Sequence, residues 1–160
     1  MSVCVGGSTA AAVVWYCAAS GDRSLGGQKP GFAAMSGITH WIWLAAAGAV
    51  GVLCRAGATA GMVRLCGEAF PWGLTAVNLA GSLAFGLIVA AAPLPGGLPE
   101  GFEKILLVGL LGGFTTFSSF AFDAVRLFEM GRPAAALALV AANNLGGFAA
   151  AWAGLRLGGG

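Results

Sequence analysis

The stretch Gly112-Gly113-Phe114-Thr115-Thr116-Phe117-Ser118-Ser119-Phe120 interrupts an apolar run that extends from Ile105 to Phe128. Two adjacent glycines cost a helix roughly 1 kcal/mol each relative to alanine, and hydroxyl side chains compete for backbone hydrogen bonds. Broken helix at membrane depth survives only inside protein or along a watery cavity. The stretch therefore predicts a break that offers carbonyls to a cation, and hydroxyls and amide dipoles to an anion. The alternative is a kinked helix patched by its own hydroxyls.

The composition is typical of a membrane protein. The 160 residues are 58% hydrophobic and only 9% charged, whereas soluble domains carry about 25% charged residues. Because a spanning helix needs about 20 apolar residues, the chain has room for four such helices and little else. The fold class predicted is an all-α membrane protein with four transmembrane helices and a broken third helix. The formal charge of +2 forms no basic cluster, so a nucleic-acid partner has no support.

Cysteine and histidine usage gives no metal motif. The cysteines, at positions 4, 17, 54 and 66, form no CxxC pair, and His40 is the only histidine. A cluster of His and Cys ligands is therefore out of reach, and we interpret the cysteines as small hydrophobic residues.

The first part of the chain does not match the rest. Residues 3–19 are apolar but short for a span, and residues 20–31 resemble a loop rich in Gly, Ser and charged residues. Met35 stands a few residues before the first predicted helix and is a candidate for the true start of translation. We interpret residues 1–37 as a disordered or mis-assigned N-terminal extension, with a genuine extra element as the alternative. The transmembrane domain is predicted to occupy residues 38–158.

Four helices are predicted, at about 40–62, 72–92, 101–130 and 133–157, with a Pro/Gly loop at 93–99. Asn78 and Ser82 share one face of the second helix because they stand four residues apart. A buried asparagine either joins helices or offers a neutral donor to an anion. Arg55, inside the first helix, is favoured as a structural anchor near the interface over a role in ion handling. Small residues at Gly57-xxx-Gly61 and Gly109-xxx-Gly113 allow close helix packing.

The positive charges give almost no preferred orientation. Lys104 and Arg156 lie on one side of the predicted bundle, and Arg64 and Arg132 on the other. The positive-inside rule therefore barely discriminates. A chain with so little bias can insert both ways and pair with its own inverted copy.

These residues resemble the Fluc (CrcB-type) fluoride channels. The stretch 112–120 is similar to the GGxTTFSTF signature of that family, and Val77-Asn78-Leu79-Ala80-Gly81-Ser82 is similar to its VNxxGS segment. An arginine late in the first helix and Pro71-Trp72-Gly73 at the start of the second also fit. The resemblance covers about 38–157.

The resemblance implies a dual-topology subunit that forms an antiparallel homodimer with two fluoride pores in the lipid bilayer of the cell inner (plasma) membrane. It implies passive export of cytoplasmic fluoride, which reduces fluoride toxicity, and no enzyme activity. A structural Na+ at the dimer centre would be held by backbone carbonyls of Gly112 and Thr115. Arg55 and Asp123 would be structural or interface residues. The fluoride pore would be lined by Asn78, Ser82, Phe117, Ser119, Phe120 and Asn143.

The sequence departs from the family pattern in the second and fourth predicted helices. Leu74 precedes Thr75 where the family commonly has Thr then Leu, and Asn143 stands where serine is frequent. The main rival function is a small dual-topology proton-coupled exporter, which needs an ionisable residue at mid-membrane. A non-transporting assembly subunit ranks last.

Overall fold

Four apolar helices make up the described part of the chain. This computed structural model describes residues 37–92, 98 and 101–159. The helices are α1 (Ile38–Cys66), α2 (Trp72–Ala91), α3 (Phe102–Glu129) and α4 (Pro133–Gly158), and each is long and apolar enough to cross a membrane. The described residues contain no strand. The prediction of an all-α protein with four membrane-spanning helices is therefore confirmed.

The helix bounds differ from the predicted ones mainly at the end of α1. This helix continues to Cys66, one turn beyond the predicted end near residue 62. It stops where Gly67 adopts a positive φ of 74°, a conformation that glycine takes without steric cost. The predicted N-terminal extension, residues 1–37, lies outside the described residues except for its last residue. Of the predicted loop at 93–99, only residue 98 is described.

The first half of α3, residues 102–114, packs closely against α1 through glycines. A Cβ added at Gly51 would overlap the carbonyl oxygen of Leu110, and one added at Gly113 would overlap the carbonyl oxygen of Gly48. The predicted use of Gly109-xxx-Gly113 in close packing is confirmed. By contrast, a Cβ added at Gly57 would meet no heavy atom of another element within 4 Å, so alanine fits there without a clash in the single subunit.

Further contacts join α2, α4 and the second half of α3, Phe117–Glu129. Gly86 and Gly154 let α2 and the end of α4 approach to backbone contact. At the opposite end, apolar side chains of α2, α3 and α4 form a core cluster: Leu74, Phe120, Leu127, Ala136 and Leu139. The polar residues of interest lie between these two packing regions.

The backbone of α3 leaves the helical conformation for two residues. Residues Gly112–Phe114 are helical, whereas Thr115 (φ −84°, ψ 156°) and Thr116 (φ −150°, ψ 122°) are extended before the helix resumes at Phe117. The interruption therefore lies within the predicted stretch 112–120, on two of its hydroxyl residues and not on the paired glycines. Both glycines stay helical, Gly113 packs closely against α1, and the interruption falls on the two threonines.

Candidate functional site

The Asn78 side chain holds the interrupted backbone of α3. Its Oδ1 accepts a hydrogen bond from the backbone N–H of Thr116 at 3.0 Å, and its Nδ2 donates to the Thr116 carbonyl at 3.2 Å. In a continuous helix, the Thr116 N–H would instead donate to the carbonyl of Gly112. The amide of Asn78 thus replaces helical partners with side-chain partners at the point where the helix stops.

Asn143 of α4 completes the hydrogen bonding of Asn78. Its Oδ1 accepts from Asn78 Nδ2 at 2.9 Å, so both N–H groups of the Asn78 amide are directed at protein acceptors. The Nδ2 of Asn143 donates to the Leu139 carbonyl at 3.0 Å and to Thr75 Oγ1 at 3.3 Å. Asn143 lies in a π-helical turn, Ala142–Gly146, within α4. The contacts of both asparagines join helices, which is one of the two interpretations that the sequence left open.

Thr116 caps the second half of α3. Its Oγ1 accepts from the backbone N–H of Ser119 at 3.4 Å and donates to Ser119 Oγ at 3.2 Å. The Ser118 hydroxyl lies 3.3 Å from the same oxygen. Ser118 and Ser119 are exposed on the single subunit. Hydroxyls and a helix N-terminus therefore meet at one accessible place, a combination that suits a small anion.

The two phenylalanines predicted for the pore touch each other but differ in burial. The rings of Phe117 and Phe120 are arranged edge to face, with centroids 5.4 Å apart. Phe120 is 7% exposed and belongs to the core cluster, whereas Phe117 is 62% exposed. The single subunit therefore buries the ring of Phe120 and leaves the ring of Phe117 uncovered.

Of the two residues predicted to hold sodium, Gly112 lies in the last helical turn before the interruption and Thr115 is the first extended residue. Gly112 is exposed, and Thr115 is partly buried. The Thr115 hydroxyl donates to the Leu111 carbonyl at 2.9 Å, and its methyl group fills the space that a Cβ on Gly81 would need. Gly81 of the VNxxGS segment thus fits the backbone of α3 against α2.

Ser82 is a local partner of the Asn78 backbone. Its hydroxyl donates to the Asn78 carbonyl at 2.8 Å. A Cβ added at Gly147 of α4 would lie 3.6 Å from the Ser82 hydroxyl oxygen. The structure therefore places Ser82 on the α4-facing side of α2, one turn beyond Asn78.

Arg55 and Asp123 line one cleft between α1 and the second half of α3. The cleft has a volume of about 450 Å³, and its walls also include the side chains of Thr59, Thr116 and Ser119. It therefore runs from the two charged residues to the hydroxyls at the interruption.

Thr75 and Thr116 were missed as site residues by the sequence reasoning. Thr75 stands three residues before Asn78, so helical spacing alone places the two on neighbouring positions of one face. That signal was available. The role of Thr116 depends on contacts with a segment 38 residues away in sequence and had no local signal.

Comparison with known proteins identifies the family. The family model described as "CrcB-like protein, Camphor Resistance (CrcB)" matches residues 42–155. The "Fluoride-specific ion channel FluC" of Chelativorans sp. (strain BNC1) is 42% identical over 118 residues, covering 74% of this chain and 94% of the relative.

Further relatives agree. A protein of the same name from Agrobacterium fabrum is 41% identical over 115 residues, covering 72% of this chain and 92% of that relative. "Fluoride-specific ion channel FluC 1" of Nitrobacter hamburgensis is 38% identical over 119 residues, with coverages of 74% and 94%. The chain therefore belongs to the CrcB-like family, the Fluc (CrcB-type) fluoride channels, which are multi-pass membrane proteins and not enzymes.

Proposed function

We propose that this protein is a fluoride-selective channel that exports cytoplasmic fluoride passively across the cell inner (plasma) membrane and so reduces fluoride toxicity. The observation that carries the proposal is the group of neutral donors around the interruption of α3: the amides of Asn78 and Asn143 and the hydroxyls of Thr116 and Ser119. Relatives named as fluoride-specific channels support the same assignment. The channel domain proposed comprises residues 38–158.

Neutral donors suit the passage of fluoride. The ion is small and strongly hydrated, so a pore must replace its water with several donors and still release it. The proposed pore residues are Asn78, Ser82, Phe117, Ser119, Phe120 and Asn143. Their amide, hydroxyl and ring-edge hydrogens provide donors without a fixed charge that would trap the anion.

The hydrogen bonds of Asn78 indicate how an ion would be accepted and released. Both of its N–H groups are directed at neutral oxygens, those of Asn143 and Thr116. An anion accepts a stronger hydrogen bond than an amide oxygen does, so it can replace the Asn143 oxygen. When the ion leaves, the N–H group returns to that oxygen. Release therefore does not leave an unpaired donor, which would make the bound state too stable.

We also propose that two copies assemble as an antiparallel, dual-topology homodimer. In the single subunit, Phe117, Ser118 and Ser119 are exposed, and an inverted second copy would cover them. Detergent-solubilised protein should then have twice the subunit mass of 15.8 kDa. An impermeant thiol reagent should reach the exposed Cys66 from each side of the membrane in a fraction of the molecules. A monomeric mass or labelling from one side alone would contradict this assembly.

The interruption of α3 fits a structural sodium ion at the dimer centre. The Thr116 N–H donates to Asn78, which frees the Gly112 carbonyl from the partner of a continuous helix. The extended ψ of Thr115, 156°, turns its carbonyl away from the common helical direction. Carbonyl oxygens suit hard cations, and the ion would join the subunits without taking part in fluoride movement. Replacing sodium with N-methylglucamine should lower the melting temperature of the dimer; an unchanged value would argue against the ion.

Fluoride efflux from liposomes tests the proposed function. Purified protein is reconstituted, the voltage is clamped with potassium and valinomycin, and fluoride is measured with an electrode. A channel should release fluoride without a proton gradient and should retain chloride. Efflux that requires an imposed proton gradient would instead indicate the proton-coupled exporter, and no efflux from a folded dimer would reject transport.

Phe117→Ile should reduce fluoride efflux several-fold while leaving the dimer assembled. The substitution removes an exposed ring and its edge hydrogens but keeps an apolar side chain, so the core around Phe120 is not emptied. Phe122→Ile is the matched control, because Phe122 is in the same helix and is 67% exposed but is not among the proposed pore residues. Equal efflux from the parent and Phe117→Ile would remove this ring from the pathway.

A further inference from the structure

Thr75 is a buried hydroxyl that the proposed pore does not use. Among the described residues it is the polar side chain classed as buried, with 5% of its surface exposed. Its Oγ1 donates to the Pro71 carbonyl at 3.2 Å, one turn earlier in α2. Because the single hydroxyl proton is directed at that carbonyl, the oxygen lone pairs are left to accept from elsewhere. The Asn143 Nδ2 donates to them at 3.3 Å.

The hydrogen-bond partners of the Asn143 side chain allow only one orientation of its amide group. The Leu139 carbonyl is only an acceptor, and the Thr75 oxygen also acts as an acceptor here, so both face the Nδ2 side of the Asn143 amide. The Oδ1 atom is therefore directed at Asn78. A flipped Asn143 would bring Nδ2 against Nδ2 of Asn78, with two donors facing each other.

The orientation of the Asn143 amide also fixes the orientation of the Asn78 amide toward the backbone of α3. Since the Nδ2 of Asn78 faces Asn143, its Oδ1 faces the N–H of Thr116. Donors and acceptors thus alternate correctly from α2 through α4 and back through α2 to α3. A change at the Thr75 end alters which orientation of the two amides is favoured at the other end.

We propose that Thr75 is a positioning residue, whose hydroxyl fixes the amide of Asn143 and through it holds Asn78 on the interrupted backbone of α3. Thr75 acts through the two asparagines and does not itself contact the ion. The family commonly has its threonine at the position of Leu74, whereas in this chain the threonine is the next residue, Thr75. The Asn143 side chain is long enough to reach it. The effect on fluoride flux rests on the proposed channel function, whereas the effect on the backbone does not.

Hydrogen exchange of the Thr116 backbone amide tests the proposal independently of transport. We expect Thr75→Val, which keeps the branched shape and removes the hydroxyl, to accelerate this exchange about threefold, the factor expected for one interhelical hydrogen bond in a membrane protein. Thr75→Ser retains the hydroxyl and should restore slow exchange. Amides of α1, which none of these bonds touches, should exchange at parent rates in both variants.

A double-mutant cycle with Asn143→Leu separates positioning from packing. If Thr75 acts through Asn143, adding Thr75→Val to Asn143→Leu should change Thr116 exchange no further. A further threefold acceleration in that background would overturn the proposal. So would equal acceleration by the Val and Ser variants, since the hydroxyl would then be irrelevant.

Efflux from liposomes supplies the functional arm. Thr75→Val should reduce fluoride efflux about threefold, in step with exchange, and Thr75→Ser should restore it. If the parent itself carries no fluoride, the proposed function fails while the exchange results still decide the role of Thr75. If the parent conducts and Thr75→Val matches it in both efflux and exchange, the positioning role is rejected.

Discussion

Replacing Gly51 with alanine should weaken the packing of α1 against α3 and lower the melting temperature of the protein. The added Cβ would overlap the Leu110 carbonyl oxygen and lie 2.9 Å from the backbone nitrogen of Phe114. Both are backbone atoms of the first half of α3, so no side chain can rotate to make room. The two helices must separate, and overpacking of this kind typically costs 1–3 kcal/mol or more. Alanine's better helix propensity offsets only about 1 kcal/mol of that cost.

The matched control is Gly57→Ala in the same helix. It gives the same gain in helix propensity, but the Cβ added at Gly57 would meet no heavy atom of another element within 4 Å. We expect Gly51→Ala to lower the yield of monodisperse protein and its melting temperature in detergent, and Gly57→Ala to melt no lower than the parent. Melting of Gly51→Ala at the temperature of the Gly57 variant would show that α1 and α3 do not pack as described.

Asn78→Asp should reduce fluoride efflux at least about tenfold, a loss that 1.4 kcal/mol would produce. The side chain keeps its shape, but an ionised carboxylate has no hydrogen to donate. The oxygen that replaces Nδ2 would face the carbonyl of Thr116 and Oδ1 of Asn143, to which Asn78 now donates both of its N–H groups. The interrupted backbone would keep the bond from the Thr116 N–H but lose the one to the Thr116 carbonyl, and the added negative charge would repel the arriving anion.

Asn144→Asp is the control for that substitution. Asn144 is exposed, and its Nδ2 donates only to the Val140 carbonyl in its own helix, at 2.8 Å. Efflux per folded dimer and melting temperature are measured for both variants. A lower melting temperature with parental efflux in Asn78→Asp would mean that Asn78 only joins helices. Equal losses of efflux in both variants would indicate a general effect of charge.

Much of the fold was predictable because its signals are local. Hydrophobic length indicated four spanning helices, and the observed starts of α2 and α4 at Trp72 and Pro133 agree with the predicted positions. The alignment of Asn78 and Ser82 follows from helical periodicity. The end of α1 was missed because apolar composition continues smoothly to Cys66, and only a positive φ at Gly67 marks the stop.

The sequence by itself determined the membrane-spanning class of the protein, its helices and the polar stretch in α3, since composition and periodicity act over a few neighbouring residues. The tertiary structure decided that Gly113 packs on α1 instead of breaking its helix. It also decided that Asn78 bonds to Thr116 and Asn143, 38 and 65 residues away. Such choices require two backbones to approach and donors to meet acceptors across helices. Only the arrangement of all four helices in space fixes those distances and directions.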